Sequence, residues 1–287
     1  MTHRIVIMLV ALVATCLSLK AQMISFVGVE NTEKGQLVDS ALLKVQYKAS
    51  ILTDTTLDQS KAKEEILLLE IGRKASLFYS YSLALRDSVL ASDAQRGASI
   101  EERTNHAKQY GGGAVTYRIY KNYPSGKVST FDQMGINKYR CEEDNEKPQW
   151  TLHADTATIL SYKCQKATCR FKGRSYEAWY TLEVPISEGP WKLTGLPGLI
   201  IKASDKSGAY TFECSGIEKV KTSQGIHLPG GKGYEAISRK EMNSLYERFT
   251  KDPIGFIQSS FPGAHITVSG DSKPLKNIPY NPIELSE

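Results

Sequence analysis

The sequence lacks the long apolar runs and short periodic patterns that identify several classes of protein. No stretch reaches the roughly 18–20 apolar residues that a membrane-spanning helix needs. No triplet, heptad or longer period of about 20–50 residues is present, which excludes collagen, coiled coils and solenoids. The 287 residues carry 36 basic and 31 acidic side chains, and this net charge of +5 does not by itself indicate a nucleic-acid partner. Hydrophobic residues make up 41% of the chain, as in globular proteins.

The sequence also lacks the short motifs of common catalytic sites. The nucleophile elbow G-x-S-x-G, the metal motif H-E-x-x-H and the phosphate loop G-x-x-x-x-G-K-[ST] are all absent. The glycine triplet Gly111–Gly113 has no lysine of a phosphate loop beside it. The histidines beyond the first twenty-one residues are widely separated, at His106, His153, His227 and His265. We therefore expect a protein that is not an enzyme, with no cofactor and no metal. A hydrolase remains an alternative if its site assembles only in the fold.

The first 21 residues have the plan of an export signal. A short positively charged region ends at Arg4, and the apolar core Ile5–Leu19 follows. The small residue Ala21 then suits a signal-peptidase cleavage site. This pattern is typical of a secretory signal peptide, whose core is too short to span a membrane. We therefore predict a signal peptide at 1–21 and an exported protein that is periplasmic, outer-membrane-associated or extracellular. Cys16 keeps a lipoprotein open as an alternative, although Thr15 is unusual before a lipid-bearing cysteine.

Four cysteines remain after the predicted signal: Cys141, Cys164, Cys169 and Cys214. An exported chain meets oxidising conditions, where disulfides persist, and four cysteines allow three pairings. In one straight strand, Cys164 and Cys169 would lie about 16 Å apart on opposite faces. A disulfide tolerates at most roughly 7 Å between Cα atoms, so a bridge between these two requires a turn. The C-x4-C spacing without a nearby histidine disfavours zinc, which leaves disulfides or free thiols.

The hydropathy pattern predicts a mainly β protein. Apolar and polar residues alternate from Leu43 to Leu52, as expected of a strand with one wet face. Strand signals then recur at intervals of roughly 8–12 residues, without βαβ alternation. Ser92–Gln109 predicts a helical insertion, and the capping-box spacing at Ser238 predicts a C-terminal helix. We therefore expect one domain over 22–287, an antiparallel curved sheet or sandwich with these two helical segments.

A basic and aromatic group follows in the same region of predicted strands. Arg170, Lys172 and Arg174 alternate, which places them on one face of a strand, with Trp179 and Trp191 nearby. Such a stripe is a candidate ligand contact for an anionic glycan or a phosphorylated lipid. The alternative is a wet sheet face on which long basic side chains cover aromatic rings. An exported protein argues against a nucleic-acid partner.

One hexapeptide and its surroundings carry a resemblance. The hexapeptide consists of Gly195, Leu196, Pro197, Gly198, Leu199 and Ile200. It is the signature of the GLPGLI family of exported Bacteroidetes proteins, which the chain resembles over nearly all of Ala41–Leu285. Similar segments include Leu69–Gly72, Ser76–Ser80, Tyr162–Ala167, Ala178–Thr181 and Asn281–Leu285. The resemblance implies a location in the cell envelope or outside the cell. The role of the family is largely uncharacterised.

The hexapeptide also has a physical interpretation. Pro197-Gly198 suits the middle of a type II turn, with Leu196 and Leu199 as apolar flanks. The motif is then a structural corner between sheet segments, and a ligand lip is the alternative. We accordingly expect a non-catalytic binding or assembly module that meets envelope proteins or an envelope ligand. A periplasmic carrier of an apolar or anionic ligand in a curved sheet remains the other alternative.

Overall fold

A computed structural model describes residues 34–110, 113–134, 137–230, 233–259 and 280–285. The predicted signal peptide and His265 lie outside these residues. The strands are β1 (Lys34–Ile51), β2 (Lys63–Ile71), β3 (Ser76–Ser80), β4 (Arg118–Lys121), β5 (Lys127–Met134), β6 (Asn137–Asp144), β7 (Thr151–Ile159), β8 (Tyr162–Phe171), β9 (Arg174–Thr181), β10 (Leu199–Asp205), β11 (Tyr210–Pro229) and β12 (Tyr234–Ala236).

The strands of the described residues form one twelve-stranded sheet. Its order is β12-β6-β5-β4-β3-β2-β1-β11-β10-β9-β8-β7, and neighbours are antiparallel except for the parallel pair β12 and β6. The long central strands β1 and β11 pair along nearly their whole length. The predicted fold class, mainly β with an antiparallel curved sheet or sandwich, a helical insertion and a C-terminal helix, is confirmed.

The predicted helical insertion forms two helices. They are α1 (Tyr81–Gln95) and α2 (Ile100–Gln109). The first helix begins eleven residues before the predicted start at Ser92, because the Ser80 side chain accepts a hydrogen bond from the Leu83 amide and caps it. Gly97 then adopts a φ of +73° and ends the run. A second capping box, between Ser99 and Glu102, starts α2.

The C-terminal helix begins where the sequence predicts. Ser238 caps α3 (Arg239–Lys251), and its capping box with Glu241 has both hydrogen bonds. A short helix, α4 (Pro253–Ser259), follows. Met242 and Phe256 pack from these helices against β5 and β6 in a separate apolar cluster. The apolar side of α3 is therefore a core contact.

The central strands are buried on both faces. In β2, Leu67 and Leu69 face the main core while Leu68 packs in a second cluster under α1. A strand covered on both sides has a continuous apolar run instead of an alternating one, which explains the Ile66–Ile71 segment. The sheet is thus the middle layer, with helices α1 and α2 on one side.

The loop between β9 and β10 covers the other side. Trp191 at its centre is 1% exposed and packs against the rings of Phe171 and Tyr176, at centroid distances of 5.7 Å and 5.9 Å. The Lys121 ammonium donates to the Gly189 carbonyl at 2.7 Å and ties the loop to β4. This loop therefore belongs to the core.

A buried charge cluster holds the C-terminal segment 280–285 in place. The Lys192 ammonium, 3% exposed, donates to Glu143 and Glu284 at 2.6 Å each. Arg239 lies 2.6 Å from Glu143 as well. Two cations thus face two carboxylates, and the paired charges join β6, the β9–β10 loop, α3 and the C-terminal segment.

Candidate functional site

A cavity of about 620 Å³ lies between helices α1 and α2 and the β4–β5–β6–β12 end of the sheet. We call it the helix cleft. Its walls come from seven elements and two loops, and they mix apolar, aromatic and charged side chains. The lining residues are Leu83, Arg86, Asp87, Leu90, Ala91, Ala107, Gly113, Thr116, Arg118, Phe131, Asp132, Gln133, Lys138, Pro229, Gly230 and Tyr234. The volume is within the range of small-molecule ligand pockets, and the lining is more polar than in most of them.

Two arginines share one carboxylate in the helix cleft. The Arg118 guanidinium lies 2.7 Å from one Asp87 oxygen, and the Arg86 guanidinium lies 3.5 Å from the other. Burial disfavours the charged form of Arg118, but the adjacent Asp87 carboxylate keeps the pKa of Arg118 above its usual value. The Nε atom of Arg86 is buried and has no hydrogen-bond partner among the described residues. It is a donor available to a bound acceptor.

A buried carboxyl group lies on β5, the strand paired with that of Arg118. Asp132 is 3% exposed, and one oxygen accepts from the Thr116 hydroxyl at 2.9 Å and the Tyr246 hydroxyl at 2.6 Å. Its other oxygen accepts from the Gln133 amide. Burial raises the pKa of Asp132 to about 6, because it outweighs the stabilising effect of these hydrogen bonds on the carboxylate. Such a group can exchange a proton near neutral pH.

Aromatic rings form the third part of the wall. The Phe131 and Tyr234 rings meet edge to face at a centroid distance of 5.1 Å. The Lys138 ammonium lies 5.6 Å from the Tyr234 centroid. Phe131 and Asp132 are neighbours on β5, but Phe131 belongs to the apolar cluster under α1. Consecutive side chains of a strand point to opposite faces, so the Asp132 carboxyl group is turned toward α3, where the Tyr246 hydroxyl binds it. The helix cleft itself offers a ring surface together with several cationic donors.

Glu65 fixes the loop that enters the helix cleft. Its carboxylate accepts from the Ala114 amide at 2.8 Å and the Val115 amide at 3.0 Å, and the Ser80 hydroxyl also donates to it. A side chain at Gly113 would collide with this carboxylate. The loop thus reaches the cleft wall only with glycine at that position.

The predicted basic stripe is not one strand face. β8 ends at Phe171, so Lys172 lies in the turn, with a φ of +48°. Arg174 begins β9 and is 6% exposed, and its guanidinium lies 3.0 Å from the Asp205 carboxylate. Of the three basic residues in the predicted stripe, Arg170 is the one that is exposed and lies within a strand. The turn reverses the chain between Arg170 and Arg174. Alternation along the sequence therefore does not place these side chains on one face of the sheet.

The two predicted tryptophans separate in the same way. Trp191 is a core residue with a φ of +53°. Trp179 is half-buried, and its indole N–H donates to Glu177 at 3.0 Å. The register of β8 and β9 places Trp179 opposite Lys166 and Ser175 opposite Arg170. Trp179 and Arg170 therefore share one outward face, and Trp191 does not.

The four cysteines Cys141, Cys164, Cys169 and Cys214 are buried free thiols, so the structure contains none of the predicted disulfides among them. β8 runs without a turn from Tyr162 to Phe171, which is the geometry that rules out a local bridge between Cys164 and Cys169. Burial raises the pKa of Cys169 and of Cys214 to about 12 each. Such thiols are unreactive at neutral pH.

The hexapeptide lies against the core without the predicted type II turn. The left-handed φ, +96°, falls at Gly195 and not at Gly198. Gly198 instead approaches the Thr181 carbonyl of β9 so closely that a side chain would collide with it. Leu196, Leu199 and Ile200 are at most 1% exposed. The second glycine therefore serves a close backbone approach.

The histidines and carrier residues considered from the sequence lie elsewhere. The His106 ring nitrogen is 2.8 Å from the buried Asp93, where it joins α2 to α1, and no described hydroxyl group contacts it. His153 meets Thr168, and His227 meets a backbone carbonyl. A carrier would need apolar strand residues that line a cavity, but four such residues pack in the main core: Leu43, Val45, Phe78 and Phe212. They give the carrier hypothesis no support.

The described residues contain neither a metal-binding cluster nor a membrane-spanning helix. No group of three or more histidine, cysteine, aspartate or glutamate side chains is placed to hold a metal ion there. No helix in that part of the chain is long and apolar enough to cross a membrane.

Comparison with known proteins gives one family match. Residues 120–238 match the family model described as the N-terminal domain of N-glycanase peptide. The matched segment supplies seven lining residues of the helix cleft: Phe131, Asp132, Gln133, Lys138, Pro229, Gly230 and Tyr234. No curated protein matches the chain.

Two solved structures of PNGF-II, in two crystal forms, are also similar. They are 14% and 16% identical in sequence, each with a TM-score of 0.48. The similar region covers 71% of this chain and 32% of each PNGF-II chain. The chain thus spans about a third of the length of these structures.

The family match corrects one expectation. The absence of catalytic motifs led to the prediction of a protein that is not an enzyme. That prediction is wrong, because the matched model belongs to an N-glycanase. Absence of short motifs is weak grounds for excluding catalysis, since active sites assemble from residues far apart in sequence.

Proposed function

We propose that this chain is an exported protein of the N-glycanase type and that its helix cleft binds the carbohydrate of glycoproteins. The observation that carries the proposal is the overlap of the cleft with the family match. One wall of the cleft, from Phe131 to Tyr234, lies inside residues 120–238. The cavity of about 620 Å³ is large enough for a small-molecule ligand, and part of its wall comes from the segment that matches the family.

The chemistry of the helix cleft suits a sugar. Sugar rings present C–H faces to aromatic rings, and Phe131 and Tyr234 provide such rings. Sugar hydroxyls are both donors and acceptors, and the unpartnered Arg86 Nε is a buried donor for one of them. Asp132 has a pKa of about 6, and its carboxyl group is connected to the cleft through the hydroxyl of the lining residue Thr116, which donates to it.

Export is part of the proposal. The signal-peptide pattern at 1–21 would deliver the chain to a compartment where glycoproteins are found. The similarity to the GLPGLI family at Gly195–Ile200 is compatible with this and stays a prediction.

The test is calorimetric titration of the full chain with a neutral N-glycan oligosaccharide. We expect binding that Arg86→Gln weakens by about tenfold, since it removes the buried donor. Tyr234→Leu should weaken it as well. Arg73→Gln, which removes an exposed arginine in the β2–β3 turn, is the matched control and should leave binding unchanged.

A second measurement separates binding from catalysis. Incubation with an N-glycosylated peptide, followed by mass spectrometry, detects glycan release directly. Release that Arg86→Gln reduces and Arg73→Gln leaves unchanged would place catalysis in the helix cleft. No binding of the oligosaccharide by the wild-type chain, or equal binding by wild type and Arg86→Gln, would refute the proposal.

A further inference from the structure

The outward face of β8, β9 and β10 carries side chains in register. Lys166, Trp179 and Lys202 are direct partners across these three strands. Glu213 of β11 continues the row beyond Lys202. Side chains on neighbouring strands of one row lie about 5 Å apart, so the row is a continuous surface. This face is remote from the helix cleft in the strand order, since β1 to β3 and β11 lie between them.

A second row lies further along the same strands. Arg170 is opposite Ser175, and the Ser175 carbonyl accepts from the Lys206 amide at 2.8 Å. Trp179 and Ser175 are four residues apart on β9, so the two rows are about 13 Å apart. Thr168, Glu177 and Ser204 lie between them, and the Glu177 carboxylate is paired with Lys166 of the first row. The second row lines a trough of about 710 Å³.

The basic side chains of the first row are paired with carboxylates, and those of the second row are not. Both lysines of the first row already have a carboxylate, at 2.7 Å for Lys166 and 3.3 Å for Lys202. The Arg170 guanidinium and the Lys206 ammonium, both on exposed residues, have no ion-pair partner in the part of the chain that the structure describes. The second row therefore carries two positive charges that are not neutralised locally.

The ring in the first row is held in place. The Trp179 indole N–H donates to Glu177, and the Lys166 ammonium lies 5.9 Å from the ring centroid. Its inner part packs on the main core, while the residue remains partly exposed. A fixed, partly exposed indole is a stacking surface that loses little conformational freedom on binding.

We propose that this face binds an anionic polysaccharide. One sugar ring of the polysaccharide stacks on Trp179. Sulfate or carboxylate groups on other sugars of the same polysaccharide pair with Arg170 and Lys206. The separation of about 13 Å requires a ligand of several sugars, so a single monosaccharide would not reach both rows. A nucleic acid fits less well, because non-specific strands are bound by several aromatic rings in succession, and the two rows as described contain a single ring, that of Trp179.

The experiment is calorimetric titration of the full chain with a heparin-derived octasaccharide as the anionic probe. A neutral oligosaccharide of similar length and a single-stranded DNA oligomer of similar charge are the comparison ligands. The test variant is the double substitution Arg170→Gln with Lys206→Gln. Its matched control is Arg73→Gln with Lys240→Gln, which removes one exposed arginine and one exposed lysine elsewhere.

We expect the test variant to lose about tenfold in affinity for the octasaccharide and the control to lose less than about twofold. Wild-type binding should weaken as salt rises, because exposed charges are screened. Trp179→Leu should weaken binding at both low and high salt, because stacking of a sugar on the ring is not screened by salt. Equal losses in the test and control variants would overturn the proposal. So would equal affinity for the DNA oligomer, which would indicate non-specific attraction of polyanions.

Discussion

Gly198→Asn is the substitution that best tests how the hexapeptide works. A side chain added at Gly198 would meet the Thr181 carbonyl, with the Thr181 carbonyl carbon at 2.7 Å and the Leu182 nitrogen at 3.2 Å. All of these are backbone atoms, and Thr181 is fully buried in β9, paired with Leu199 and Cys164. The strand cannot move aside as a flexible side chain would.

The magnitude follows from the packing. Forcing additional atoms into a packed interior costs typically about 1–3 kcal/mol, and the rigid backbone neighbours place this site at about 2–3 kcal/mol. Asparagine separates this cause from turn conformation, because it tolerates the left-handed region better than other residues. Gly208 is the matched control, with a φ of +74° and no atom within 4 Å of an added side chain. Gly208→Asn should cost less than about 1 kcal/mol.

The assay is urea unfolding followed by fluorescence of the three tryptophans. The change in free energy of unfolding comes from the midpoint at constant slope. We expect Gly198→Asn and Gly198→Ala to be about equally destabilised, since both add a Cβ. If the free energy of unfolding of Gly198→Asn is within about 0.5 kcal/mol of the wild-type value, the steric explanation is refuted. The turn hypothesis for Pro197-Gly198 would then be favoured again.

Three further predictions concern buried groups. Lys192→Met should cost about 3 kcal/mol in urea unfolding, because Glu143 and Glu284 would lose their buried cation; a loss below about 1 kcal/mol would contradict this. The raised pKa of Asp132 means that the folded state holds a proton between about pH 4 and pH 6 that the unfolded state releases. Wild-type stability relative to Asp132→Asn should therefore fall as pH rises through that window and stay level above it; an unchanged difference would argue against the shift. Native thiol titration should label none of Cys141, Cys164, Cys169 and Cys214 within minutes, whereas urea should expose all of them; rapid labelling of the folded chain would show that the cysteines are not buried.

Local causes made part of the fold predictable. The capping box at Ser238 depends on residues three apart, so the sequence located the start of α3 correctly. The alternation from Leu43 depends only on which face is wet, and it located β1. The helix α1 was placed too late, because its start depends on Ser80, which ends a strand whose partners lie elsewhere in the chain.

Side-chain environments depended on distant residues. Arg174 has the sequence appearance of a solvent-exposed cation, yet Asp205 and the carbonyls of Pro282 and Ile283 bury it. Those carbonyls are more than a hundred residues away along the chain, beyond the reach of any local pattern. The same applies to Asp132, whose burial requires Tyr246 from α3.

The sequence by itself therefore determined the class of fold, the main strand pattern and one helix start, because hydropathy period and capping act over a few residues. Only the tertiary structure decided where the candidate site lies. The helix cleft brings Arg86, Arg118 and Asp132 together from three separate elements. Their chemistry arises from burial and from partners across the sheet, which no short window of sequence contains.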